Sequence, residues 1–137
     1  MKLRQIALLA LTGVSISLAA APSAAANKRQ EERTQEILSR YEKTGESIYC
    51  LSLSSVRSTD VLDDHTILVT AQGGSVYMSE LLGRCIGLGR ERRYIHEATT
   101  NRMCRGDLIR VVSNFGTAIG SCSFGSFEKL KEISQAE

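Results

Sequence analysis

Thr66-Ile67-Leu68-Val69-Thr70-Ala71-Gln72-Gly73-Gly74-Ser75-Val76-Tyr77-Met78-Ser79 is the stretch that decides the fold. Its first six residues are β-branched or apolar, the composition of a buried strand. Gly73-Gly74 then supplies the backbone freedom of a tight hairpin. Ser75 to Ser79 returns as a second strand.

Working toward the N-terminus, Asp63-Asp64-His65 reads as a turn and Ser55 to Leu62 as a more polar strand. Ile48 to Leu53 is short, apolar on both faces and β-prone, which predicts another buried strand. Downstream, Leu81 to Gly89 reads as an irregular loop, Arg92 to Glu97 as an edge strand and Ala98 to Gly106 as a loop. Asp107 to Ser113 and Thr117 to Cys122 read as strands joined by the turn Asn114 to Gly116. Gly125 to Ile133 reads as a short helical turn packing Phe127, Leu130 and Ile133. Turns recur about every 8–12 residues. The expected fold is therefore mainly β, a small antiparallel barrel or roll of six to seven short strands. An N-terminal helix over about residues 29–44 precedes it. Ile37, Leu38 and Tyr41 form its apolar patch, Glu36 and Arg40 an i, i+4 pair, and Gly45 its stop. Its charges read as a solvated face.

The first 26 residues differ from the rest. Lys2 and Arg4 precede an apolar run from Ile6 to Leu18, followed by Ala19 to Ala26 with Pro22. This is the pattern of a secretory signal peptide, with cleavage expected after Ala26. Pro22 is expected to break the apolar helix and present the following residues in extended form. The run is shorter than the ~20 residues that span a bilayer. The first cysteine is Cys50, so lipid attachment at a new N-terminal cysteine is not expected. The expected organisation is a signal peptide over 1–26, a helical segment over 27–46 and a disulfide-stabilised β domain over 47–137. Of 17 basic and 15 acidic residues in the 137-residue chain, the leader holds two basic ones, which leaves 15 of each. A neutral chain has no global attraction to nucleic acid.

Cys50, Cys85, Cys104 and Cys122 are separated by 35, 19 and 18 positions. An even count in an exported chain reads as two disulfides. Zinc sites use closely spaced pairs, and neither His65 nor His96 lies at ligand spacing from a cysteine, so no metal is expected. Four cysteines permit three connectivities. The expected one is Cys85–Cys104, tying two loops around one strand, with Cys50–Cys122 joining the first and last strands.

Five motifs occur in order: Val61 to Val69 (Val-Leu-Asp-Asp-His-Thr-Ile-Leu-Val), Gly73 to Tyr77, Cys85 to Leu88, Met103 to Asp107, and Gly120 to Phe127. In this arrangement the chain resembles a family of small exported proteobacterial proteins defined only as a domain of unknown function. The likeness spans about Ser47 to Glu128. It implies export, disulfides and a β fold, and it brings no activity, cofactor or catalytic residue with it. Some relatives are lipoproteins, whereas this chain lacks the lipid-attachment cysteine.

Candidate chemistry is sparse. Ser-His-Asp catalysis would need His65 or His96 as base, and no Gly-x-Ser-x-Gly elbow occurs. Asp60, Asp63 and Asp64 match no calcium loop and read as turn caps. Gly87-Leu88-Gly89 is a fragment of a phosphate loop without the Lys-Ser/Thr that completes it. Arg105-Gly106-Asp107 reads as a turn before a strand rather than an integrin-type tripeptide. Charge is the uneven feature. From Arg84 to Arg110 seven arginines face three acids, a net of +4, whereas Ser47 to Gly83 carries −3. Arg90, Arg92, Arg93, Arg102 and Arg105 form a candidate patch for an anionic partner. Such partners include lipid A phosphates, peptidoglycan carboxylates or an acidic protein, since guanidinium forks suit phosphate and carboxylate. The bland reading is internal pairing of the two stretches together with solvated edge-strand charges.

The expected function is therefore non-enzymatic binding or envelope interaction in the periplasm or outside the cell. No cofactor, no nucleic acid and no transmembrane segment after cleavage are expected. The alternative is a small exported enzyme using His65 or His96 with a nearby carboxylate. A third reading is a structural or inhibitory protein that occupies a partner's edge strand.

Overall fold

A computed structural model describes residues 22–134. The signal-peptide expectation for residues 1–21 falls outside them. Helix α1 runs Pro22–Leu38, followed by strands β1 (Tyr41–Ile48), β2 (Cys50–Ser52), β3 (Val56–Val61), β4 (Thr66–Ala71) and β5 (Val76–Glu80). A one-turn helix α2 (Leu88–Glu91) precedes β6 (Tyr94–His96), β7 (Arg102–Cys104), β8 (Leu108–Val112), β9 (Ala118–Ser123) and β10 (Phe127–Glu132). The architecture is mainly β and antiparallel, with one N-terminal helix and two disulfides. The described residues form ten strands rather than six or seven, in three sheets ordered β1-β10-β5-β4-β3, β2-β7 and β6-β8-β9. These sheets do not close into a barrel.

The stretch Thr66–Ala71 is β4, one of the interior strands of the five-stranded sheet. Its lack of a polar face has a direct cause, because the sheet is covered on both sides. Ile67 and Val69 enter the main core with Ile109, Val111, Phe124, Phe127 and Leu88. Leu68 enters a smaller core with Leu62, Met78 and Leu130, roofed by Ile37, Leu38 and Tyr41.

Several expectations need correction. The helix ends at Leu38, not near Thr44, and Tyr41–Ile48 is an edge strand paired with β10. Gly45, with φ 86°, sits where the register shifts between Lys43 and Ser47. It serves a strand irregularity instead of a helix stop. At its other end Pro22 to Ala26 is helical and not extended. The run Ala24 to Ala26 suits a helix, since alanine has the best helix propensity.

Phe127–Glu132 is a strand, not a helical turn. Phe127 and Leu130 are three apart, which suggests a helix face. In a strand that spacing sends them to opposite faces. Phe127 is in the main core and Leu130 in the smaller one.

The disulfides are Cys50–Cys104 and Cys85–Cys122. The expected pairs Cys85–Cys104 and Cys50–Cys122 are not formed. The segment assigned to a loop contains β7, whose Cys104 lies directly opposite Cys50 in the β2–β7 ladder, with Cα atoms 4.0 Å apart. Cys85 is held beside β9 by the Leu82–Ser123 bridge three residues earlier.

Candidate functional site

Helix α1 crosses the five-stranded sheet and is anchored through a narrow stripe. Ile37 and Leu38 pack on the smaller core. Farther toward the N-terminus, the Thr34 hydroxyl and the Gln30 amide both donate to the Leu62 carbonyl, at 3.2 and 3.3 Å. Residues 30 and 34 are one helical turn apart and share a face. Ala24 to Arg29, ahead of Gln30, are exposed. Between them and the β5–α2 segment lies a cleft of about 710 Å³.

Five guanidinium groups line this cleft: Arg29 and Arg33 from α1, Arg84 from the loop after β5, Arg90 from α2, and Arg92 just beyond α2. Ile86 and Ile119 add apolar wall, and Ile86 is 65% exposed. The single carboxylate in the lining is Asp64. One of its oxygens accepts the Gly89 N–H at 2.8 Å, and the other meets Arg84 Nε at 3.1 Å. Arg90 Nε lies 2.9 Å from Glu91, and Arg92 donates to the Val61 carbonyl at 3.0 Å. Arg29 and Arg33 have no ion-pair partner among the described residues.

Arg92 has φ 55° and is the one non-glycine residue at positive φ among the described residues. It occupies the position after α2 where glycine is favoured, and its N–H closes the helix onto Leu88. A side chain there costs roughly 1–2 kcal/mol. The fold bears that cost at a residue that puts its charge into the cleft.

Of the five arginines singled out from sequence, two are in the cleft lining and three are not. Arg90 and Arg92 line the cleft. Arg93 is exposed just before β6, and Arg102 is exposed on β7. Arg105 lies over the Tyr49 ring at 5.7 Å, beside the Cys50–Cys104 ladder. Arg29, Arg33 and Arg84 were not singled out. Their signal was the i, i+4 spacing of Arg29 and Arg33 next to the anchoring pair Gln30 and Thr34. The −3 and +4 stretches meet through the Arg84–Asp64 pair, while Arg110 pairs with Glu97 inside its own stretch at 2.7 Å. Asp63 caps its turn by accepting the His65 N–H at 2.7 Å, and Asp60 is exposed on β3.

His65 is exposed in that turn. His96 is half-buried, its Nε2 2.9 Å from Asp107 Oδ2 and its ring edge-on to Phe124. The same Asp107 oxygen accepts the Cys104 N–H at 2.8 Å. This pair braces β6 against the turn after β7. Among the described residues no hydroxyl or thiol is hydrogen-bonded to the ring, and Asp107 orients it.

The chain belongs to a family of unknown function, DUF6491. The model of that family matches residues 2–136. No curated protein and no solved structure matches the chain. The family carries no activity with it, so any function rests on the geometry. Two disulfides mark a protein folded in an oxidising compartment. No helix among the described residues is long and apolar enough to cross a membrane.

Proposed function

We propose that this protein is an exported, disulfide-stabilised, non-enzymatic domain that binds an anionic ligand of the cell envelope in the cleft between α1 and α2. The observation that carries the reading is the convergence of five guanidinium groups from separate segments on one concavity with one carboxylate in its lining. Like charges gathered this way raise the local concentration of anions. Guanidinium forks bind phosphate or carboxylate oxygens two at a time. Export is supported by the leader pattern of residues 1–26 and by the disulfides, and it places the domain in the periplasm or outside the cell.

Titration with inorganic tripolyphosphate at low salt tests the reading. Reversing Arg33→Glu together with Arg90→Glu is expected to abolish binding, while Arg102→Glu with Arg105→Glu, outside the cleft lining, is expected to leave it. Equal loss from both double variants, or no loss from the first, overturns it. Weakening with added salt is expected as well, since the groups are solvent-accessible.

A second reading, a hydrolase with His96 as base, has one observation in its favour, the Asp107 carboxylate 2.9 Å away. It requires that His96→Gln abolish turnover of an ester substrate.

A further inference from the structure

We infer that the anion taken by the cleft is amphiphilic, a phosphate head carrying an aliphatic chain, with the chain laid on Ile86 and Ile119. This rests on the anion-binding reading above and names the ligand class of the same site.

Ile86 is 65% exposed and Ile119 39%, and both line the cleft. The backbone beneath them is fixed. Cys85, completely buried, holds the residue before Ile86 by its bridge to Cys122 and by donating its N–H to the Asp64 carbonyl at 2.8 Å. The Ile86 carbonyl lies directly on the backbone of Gly120, where an added methyl group would stand 2.6 Å from its oxygen. Ile119 precedes Gly120 on β9, and its Cδ1 would stand 3.0 Å from a methyl group added to Gly87. The two segments therefore touch backbone to backbone, and their isoleucines are neighbours. Side chains carried on a backbone held this way do not withdraw into the interior, which is already close-packed. They stay as adjoining apolar surface in water, and covering such surface is favourable.

Guanidinium groups rim this surface. Arg84 lies two residues before Ile86 and is paired with Asp64. Arg90 Nη2 comes within 3.9 Å of the same methyl position on Gly87 that Ile119 approaches. A cation and an aliphatic side chain thus meet over one glycine. An inorganic anion uses only the first of these, whereas an anion with an aliphatic tail uses both. Charge favours phosphate as the head. Five lining guanidiniums against Asp64 and the neighbouring Glu91 leave an excess of three positive charges. A phosphate monoester of charge about −2 offsets more of that excess than a carboxylate does.

Displacement of bound inorganic tripolyphosphate is the test. The protein, with both disulfides intact, is titrated with methyl phosphate and with octyl phosphate below its micelle concentration. Octyl phosphate is expected to displace at a concentration on the order of tenfold lower, the effect of burying roughly two methylenes. Ile86→Ser with Ile119→Ser is expected to bring the two phosphates to within about twofold of each other, and Ile86→Ser alone to narrow the gap in part. Octyltrimethylammonium, with the same tail and the opposite charge, is expected not to displace. Equal displacement by the two phosphates overturns the inference and leaves the anion-binding reading standing. A preference that survives the double substitution, or displacement by octyltrimethylammonium as effective as by octyl phosphate, overturns it as well. Absence of tripolyphosphate binding overturns the anion-binding reading and the inference with it.

Discussion

The carboxylate of Asp64 accepts the Gly89 N–H at 2.8 Å, fastening the turn after β3 to helix α2. The same side chain neutralises Arg84 at 3.1 Å. One residue therefore holds the cleft floor together and also cancels part of its charge. Asp64→Ala is expected to cost about 1.5–3 kcal/mol, the range for a hydrogen bond to a charged group. It should also tighten tripolyphosphate binding by freeing Arg84. Urea denaturation and titration on the same sample check both effects, and their opposite directions distinguish this residue from a purely structural one.

Arg92 offers the converse case. Arg92→Gly relieves the left-handed backbone cost of roughly 1–2 kcal/mol and loses the hydrogen bond to Val61, worth about 1.5–3 kcal/mol. The net change in stability should lie between a gain of about 0.5 kcal/mol and a loss of about 2 kcal/mol, while anion affinity falls. Arg92→Ala keeps the strain, loses the bond and should be less stable than the glycine variant in thermal melts.

The two bridges close loops of 54 and 37 residues. Loop entropy alone makes each worth about 4 kcal/mol. Peptide mapping without reductant should recover Cys50 with Cys104 and Cys85 with Cys122. Cys50→Ala with Cys104→Ala should lower the melting temperature while leaving the second bridge intact.

Phe127, on β10 of the five-stranded sheet, is completely buried, with its ring 5.6 Å from that of Phe124. Phe127→Ala should cost about 3–5 kcal/mol. Leu130→Ala on the opposite face should cost about 2–5 kcal/mol and loosen the α1 anchorage. Protease cleavage near Arg33 in the Leu130 variant, under conditions where the parent resists, is the readout.

Burial raises the Tyr94 pKa above the ordinary 10.0, and a hydrogen-bonding contact with Thr59 opposes part of that rise. A group whose folded pKa is raised gives its full contribution below the unfolded value and loses it as pH climbs through the folded one. Lys43, raised chiefly by its hydrogen bond to Glu128, acts in the same direction. The denaturation midpoint should therefore fall above about pH 10. Tyr94→Phe should flatten that fall without removing the part due to Lys43.

What was legible in the sequence follows from where each partner lies. The hairpin Thr66–Glu80 is local, and its glycines and β-branched residues specify it without help. β1 and β10 were misread because each takes its meaning from the other. Glu42, Lys43 and Glu46 look like a helix surface until they are set against Lys131, Glu128 and Lys129, with which they form cross-strand ion pairs of 2.8 to 3.7 Å. β7 is three residues long and exists because Cys50 lies across from it. The cleft was half-legible for the same reason. The arginines near residue 90 stand out in a charge count, but those of α1 join them only through the docking of Gln30 and Thr34.

The pairing of β1 with β10 also sets an order of events. β10 lies between β1 and β5, yet it is the last strand among the described residues. A growing polypeptide has β3, β4 and β5 early, but their sheet stays unfinished on one side until residues near 132 arrive. The N-terminal strand must wait through almost the entire length of the molecule for its neighbour. The five-stranded sheet is complete only once Phe127–Glu132 is available to both β1 and β5.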